Sequence, residues 1–174
     1  MRSTLEDLKT RRSCRSYKPE QITPEELDAV LEAGTWAPTG RGKQAPILVA
    51  VQDPETVKTL SQLNAAVMGS EGDPFYGAPT VIIVLADKSA AHTYLYDGSC
   101  VMTNLLNAAH AIGLGSCWIH RAREVFDSEE GKALLKKWGI EGDYEGIGNC
   151  ILGYKAAQDP EPRPRKENYI TKVL

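Results

Sequence analysis

Paired cysteines are missing from this chain: Cys14, Cys100, Cys117 and Cys150 are scattered and form no C-x-x-C, which excludes a zinc knuckle and a thioredoxin-type dithiol. They read as reduced, mostly buried thiols. Histidine is scarce too, with only His92, His110 and His120, and no carboxylate or cysteine pattern accompanies them, so no metal-ligand set is present. Positive charge is not in excess. A net charge of −3 and a pI near 5.7 leave no broad cationic face of the kind non-specific nucleic-acid binding requires. Long apolar runs are absent as well: VIIVLA at 81–86 is far too short to cross a bilayer, and the opening MRSTLEDLKT lacks the apolar core of a signal peptide. The expectation is a cytoplasmic protein that engages neither nucleic acid nor membrane.

Standard nucleotide motifs fail in informative ways. Gly40-Arg41-Gly42-Lys43-Gln44 has a P-loop flavour, but Ala37 stands where the first Walker glycine belongs and Gln44 where a Ser or Thr must follow the lysine. Gly113-Leu114-Gly115 follows a helix pattern and precedes a strand pattern, the reverse of the dinucleotide fingerprint.

What is present is an ordinary globular composition, 42% hydrophobic and 25% charged over 174 residues, enough for one compact core in a single domain spanning 1–174. Ser3 with Glu6 predicts a short helix running towards Arg11. Thr23-Pro24-Glu25-Glu26, followed by Leu27, Val30 and Leu31 at helical spacing, predicts a second that stops at Gly34. TWAPTGRGKQAP reads as an irregular loop. Beyond it, strands are predicted at ILVAVQ (47–52), VIIVLA, SCWI (116–119) and GNCILGY (148–154), with helices after Asp53-Pro54 to about Leu63, from Tyr94 to Ile112, and from Ser128 to Trp138. This βαβ-like alternation predicts an α/β sheet with helices on its faces.

Two basic segments stand out. TRRSCRSYKPE places Arg11, Arg12, Ser13 and Arg15 at the end of the first helix, a set able to hold a phosphate through charge-assisted, partly bidentate hydrogen bonds. The same residues also suit a solvated patch that complements the carbonyl end of a helix. Arg163-Pro164-Arg165-Lys166, in the proline-rich tail, could converge on the same anion or remain a disordered basic tail. His120 reads as a surface or packing residue rather than a general acid, and His110 as a satisfied core residue. Cys14 is the candidate reactive thiol, if exposed, ahead of Cys117. Trp36, Phe75, Tyr76 and Trp118 read as core or as walls of a pocket, with Phe75 and Tyr76 the foremost pocket candidates.

Taken in order, RRSCRSY, APTGRGKQAP, YGAPTVIIVLAD, DGSCVMTNLLNAAHAIGLGSCWI, and ILGYK followed by PRPRK resemble the nitroreductase family of flavin enzymes across nearly the whole chain. The resemblance implies an α+β, three-layer α-β-α fold, a central mixed or antiparallel sheet flanked by helices. It implies an intertwined homodimer with FMN held at the interface, and a C-terminal arm, about 158–174, packing on the partner subunit. Arg11, Arg12, Ser13 and Arg15 then serve the phosphate and ribityl end, joined by Arg163 and Arg165. Pro38, Thr39, Gly40 and Gln44 come from the partner and lie along the flavin; Asn64 faces its pyrimidine ring; Trp118, Ile119 and His120 pass beside its N5 and O4. Gly42 and Ala45-Pro46 depart from the family pattern of Asn and Pro-Trp. The implied activity is reduction of nitroaromatics, quinones or similar electron-poor small molecules by NADH or NADPH in ping-pong order, with no side chain assigned as catalytic. A flavin carrier or redox sensor without turnover, and a small phosphate-ligand binder, are the alternatives.

Overall fold

Capping chemistry decides where this chain turns helical. Ser3 accepts from the Glu6 N–H while Glu6 accepts from the Ser3 N–H at 2.9 Å, and this reciprocal box starts α1 (Thr4–Thr10). Thr23 and Glu26 repeat the arrangement at α2 (Pro24–Thr35). Asp53 caps α3 (Pro54–Met68) through the Thr56 N–H at 2.9 Å, and Gly69 ends it in the left-handed region. These starts agree with the sequence. The third helix runs past the expected Leu63 because Leu60, Ser61, Asn64 and Ala65 form one buried face. The computed structural model describes residues 3–174.

Four strands, β1 (Pro46–Val51), β2 (Thr80–Asp87), β3 (Gly115–Ile119) and β4 (Tyr144–Gly153), form one sheet in the order β1-β2-β4-β3. Every pairing between them is antiparallel, an arrangement that the α/β class read from the alternation does not describe. It agrees with the α+β class implied by the resemblance. The helices lie between strands in sequence without making crossovers to parallel neighbours. β2 is central, and its residues 80–86 are all buried; a strand covered on both faces reads as a continuous apolar run rather than an alternating one.

Helices cover both faces. Ile82 and Val84 of β2 pack with Val30 of α2 and with Met102 and Leu105 of α4 (Tyr94–Ala111). Val81, Ile83 and Leu85 pack on the other side with Leu60 of α3 and with Val125 and Phe126 of α5 (Ala122–Asp127). This short helix was not expected from the sequence, since six residues carry too little periodicity. α6 (Glu129–Lys137) follows it. His110, buried near the end of α4, lies 2.9 Å from the Thr10 hydroxyl and 4.0 Å from Asp7, so it docks α1 as a satisfied core residue. Among the described residues no helix is long and apolar enough to cross a membrane.

Candidate functional site

The arginine segment is positioned by the free edge of β3. After α1 the chain extends beside it: Ser13 pairs in parallel with Ser116, and the Cys14 N–H donates to the Ser116 carbonyl at 2.9 Å. Gly115 permits this approach, because a Cβ there would lie 2.8 Å from Cys14 Sγ. Tyr17 then pairs antiparallel with Lys155, Lys18 N–H donates to the Tyr154 carbonyl at 2.9 Å, and Ala156 N–H donates to Ser16 at 3.0 Å. The first basic segment is thereby joined to the beginning of the C-terminal tail. Between them lies a cleft of about 210 Å³, lined by Ser13–Ser16 on one side and Ala157–Pro160 on the other.

The arginines divide in what they do. Arg12 Nη1 donates to the carbonyls of Lys9 and Arg11, both at 2.8 Å, which satisfies the exposed carbonyl end of α1. The helix-end role is thus the one Arg12 performs within the chain. Arg11 differs, because its Nη1 is buried with no acceptor, and a buried guanidinium nitrogen without a partner carries a desolvation cost that an anion would relieve. Arg15 is exposed and lies 6.0 Å from the centre of the Tyr76 ring. Arg163 and Arg165 stand on the exposed arm, where Arg165 Nη2 donates to the Arg163 carbonyl at 2.7 Å; no hydrogen bond joins them to Arg11–Arg15 among the described residues.

A second pair of expected residues does meet. Asn64, fully buried on α3, donates from Nδ2 to the His120 carbonyl at 2.8 Å. Its Oδ1 is buried without a donor. Trp118 is half-buried with its indole Nε1 unpaired, Ile119 is buried, and the His120 side chain is exposed. His120 contributes its backbone here, in keeping with a surface reading of its ring.

The loop carrying Pro38, Thr39, Gly40 and Gln44 is held elsewhere, at the start of α4. The Gly40 N–H donates to Asp97 Oδ1 at 3.0 Å, and the Thr93 hydroxyl donates to Asp97 Oδ2 at 3.1 Å. A Cβ on Gly40 would lie 2.2 Å from the Thr93 hydroxyl oxygen, so only glycine fits. Thr39 receives the Gln44 N–H at 3.1 Å, and Arg41 and Gln44 adopt φ of 54° and 50° around Gly42. Asp97 was not singled out from the sequence, although a carboxylate in the first turn of an otherwise apolar helix is the signal that could have found it.

Other expectations resolve by burial. Cys14 is only 5% exposed and its thiol donates to Ser16 at 3.2 Å, so the condition for its reactivity is not met. Burial, then the thiols of Cys14, Cys117 and Cys150, pushes the Tyr17 phenol far above its ordinary value. Tyr17 is therefore a neutral donor, and it binds the Cys14 carbonyl at 2.9 Å. Phe75 is core, Tyr76 is exposed, and Trp36 is 79% exposed. A cavity of about 870 Å³ between α3 and the 70–79 loop is lined by Phe75 but by none of the expected cofactor residues.

A basic segment paired to a sheet edge, a buried amide oxygen without a donor and a glycine loop bonded to a long helix are set on an antiparallel α+β fold. The family model of the nitroreductase family matches residues 8–154, and the chain belongs to that family. A solved nitroreductase with bound FMN from Bacteroides fragilis superposes with a TM-score of 0.90 at 29% identity, covering 100% of both chains. Another with bound FMN, from Desulfitobacterium hafniense, gives 0.89 at 26% identity, again over 100% of both. A protein of Archaeoglobus fulgidus, provisionally named NADH dehydrogenase/NAD(P)H nitroreductase, is 30% identical over 97% of this chain and 91% of its own.

Proposed function

We propose that this protein is an FMN-dependent NAD(P)H oxidoreductase acting as a homodimer on nitroaromatics, quinones or similar electron-poor small molecules. The observation that carries the reading is a pair of buried, unpartnered atoms of opposite kind: Arg11 Nη1, a donor, and Asn64 Oδ1, an acceptor. A phosphate matches the first, and a ring N–H of a flavin matches the second. FMN-bound relatives of the same fold support the same cofactor.

Within this reading Arg11, Ser13 and Arg15 hold the phosphate end, with Arg163 and Arg165 added from the tail, while Arg12 keeps α1 intact behind them. Asn64 orients the pyrimidine end, itself fixed by the His120 carbonyl. Backbone groups of Trp118–His120 border the reacting edge, and Pro38, Thr39, Gly40 and Gln44 of a second copy close the other side. FMN held by these residues would supply the redox chemistry, the passage of reducing equivalents from NADH or NADPH to the acceptor. Donor and acceptor use one open face in turn, a ping-pong order that requires no titrating side chain.

A second copy is supported by apolar surface left uncovered. Leu5 and Leu8 on α1, Trp36, Leu95 and Tyr96, and the arm residues Tyr169, Ile170, Val173 and Leu174 are all exposed, apolar surface that a second copy would cover.

Anaerobic titration tests the proposal. Purified protein should carry a yellow chromophore that NADH or NADPH bleaches and a quinone restores. A flavin that stays oxidised under both donors would indicate a carrier, and a protein indifferent to FMN would refute the reading.

A further inference from the structure

A second basic cleft borders the loop that carries Gly40, and its charged side chains have no role in the site above. It measures about 430 Å³ and lies between the turn at 40–43 and the turn at 89–93, lined by Gly40, Arg41, Lys43, Ser89, His92 and Thr93 among others. Arg41, Lys43 and His92 are all exposed, and among the described residues none of them forms an ion pair. The carboxylates nearby are committed elsewhere. Asp97 is 4% exposed, with its oxygens receiving the Gly40 N–H at 3.0 Å and the Thr93 hydroxyl at 3.1 Å, and Asp87 receives the Ser89 N–H and hydroxyl, both at 2.7 Å.

We propose that this cleft binds a phosphate group of the dinucleotide donor. The proposal rests on the oxidoreductase reading above, because the loop that forms one wall is the loop placed there beside the flavin of the second copy. A donor whose nicotinamide stacks on that flavin must lay its phosphates outward along the protein surface, and Arg41 and Lys43 belong to the loop that the reading places beside the flavin. The chemistry suits an acceptor-only ligand. A guanidinium fork and an ammonium group bind phosphate oxygens by charge-assisted bonds, and the cleft offers no unengaged carboxylate to repel them. The chain as a whole carries a net charge of −3, so a polyanionic donor is repelled at long range and needs a local cationic foothold to be retained.

Arg41 has a conformational peculiarity in keeping with this role. It sits at φ 54° immediately before Gly42 at 66°, a left-handed pair in which a side chain is kept at a position that favours glycine. The side chain that strains the turn is one that lines the cleft.

Two phosphates of such donors have the same chemistry: the 2′-phosphate that distinguishes NADPH from NADH, and the pyrophosphate common to both. Calorimetry on the FMN-loaded dimer with adenosine 2′,5′-bisphosphate and with ADP separates them. In the Arg41→Gly/Lys43→Ala double variant, affinity for the bisphosphate alone should fall at least tenfold if the 2′-phosphate is held; affinity for both probes should fall together if the pyrophosphate is. Glycine suits the backbone at 41, and circular dichroism checks that the fold survives; Lys43→Ala alone gives the same comparison should the double variant not fold. Wild-type binding should weaken as salt is raised. Unchanged binding of both probes by the variants, or no binding of either by the wild type, overturns the proposal. Failure of NADH and NADPH to bleach the flavin would refute the oxidoreductase reading instead, and probe binding would still decide the cleft.

Discussion

Asn64 Nδ2 donates to the His120 carbonyl at 2.8 Å across 56 positions of sequence, tying α3 to the residue that follows β3. The bond fixes the orientation of the amide, so that Oδ1 is the atom left buried and unpaired. Asn64→Leu, close in size, removes the unpaired acceptor but also leaves the His120 carbonyl without its donor, so the thermal midpoint should fall. Asn64→Asp leaves the His120 carbonyl without a donor and adds a buried charge, and should destabilise by about 1–3 kcal/mol. Both variants should bind FMN more weakly in a fluorescence titration.

Arg11 and Arg12 stand side by side and should respond oppositely. Arg12→Ala removes the group bonded to the Lys9 and Arg11 carbonyls and should lower the melting temperature of the apoprotein. Arg11→Met removes a buried donor that has no acceptor, so apoprotein stability should be unchanged or higher. FMN affinity should nevertheless fall about tenfold or more, the equivalent of about 1.5–3 kcal/mol for one charged hydrogen bond. Equal behaviour of the two variants in both assays would contradict this division of roles.

Asp97 is the hinge pin of the 38–44 loop. Asp97→Ala leaves the Gly40 N–H and the Thr93 hydroxyl unpaired and should cost about 1–3 kcal/mol, whereas Asp97→Asn keeps an acceptor for Gly40 and should cost less. Gly40→Ala should destabilise by collision, its Cβ falling 2.2 Å from the Thr93 oxygen. Chemical denaturation ranks the three.

Alkaline pH should weaken the fold. Burial pushes the Cys150 thiol from its ordinary 9.0 up to about 12, and Tyr17 moves in the same direction from 10.0. The unfolded chain releases these protons first, so the folded state binds more protons across the interval and stability falls as pH rises from about 9 towards 12. Cys150→Ala should flatten the lower part of that decline in denaturation midpoints measured against pH. An equally steep decline would show that this thiol does not carry it.

Much of the scaffold was legible in advance. The boxes at Ser3/Glu6 and Thr23/Glu26 and the apolar run of β2 are local chemistry, readable within a few residues. The ordered motifs that resemble the nitroreductase family pointed to the family that residues 8–154 match. Strand order and direction were not legible, since alternation of helix and strand does not say to which end of the sheet each connection returns. Cys14 was judged on its neighbours in sequence, whereas its burial against Gly115 depends on a strand a hundred residues away.

By itself, then, the order of residues determined the helix starts, the two-faced burial of the central strand and the chemical types available for an anionic ligand, because capping and periodicity act over one or two turns. Tertiary structure alone decided which of those types meet: Ser13 with Ser116, Asn64 with His120, Gly40 with Asp97. Each of these contacts closes a loop of more than fifty residues, and only the packing of two helical layers on one sheet sets which distant partners come within hydrogen-bond reach. The same packing separated Arg12, satisfied at the end of its helix, from Arg11, half-buried with one buried donor to spare.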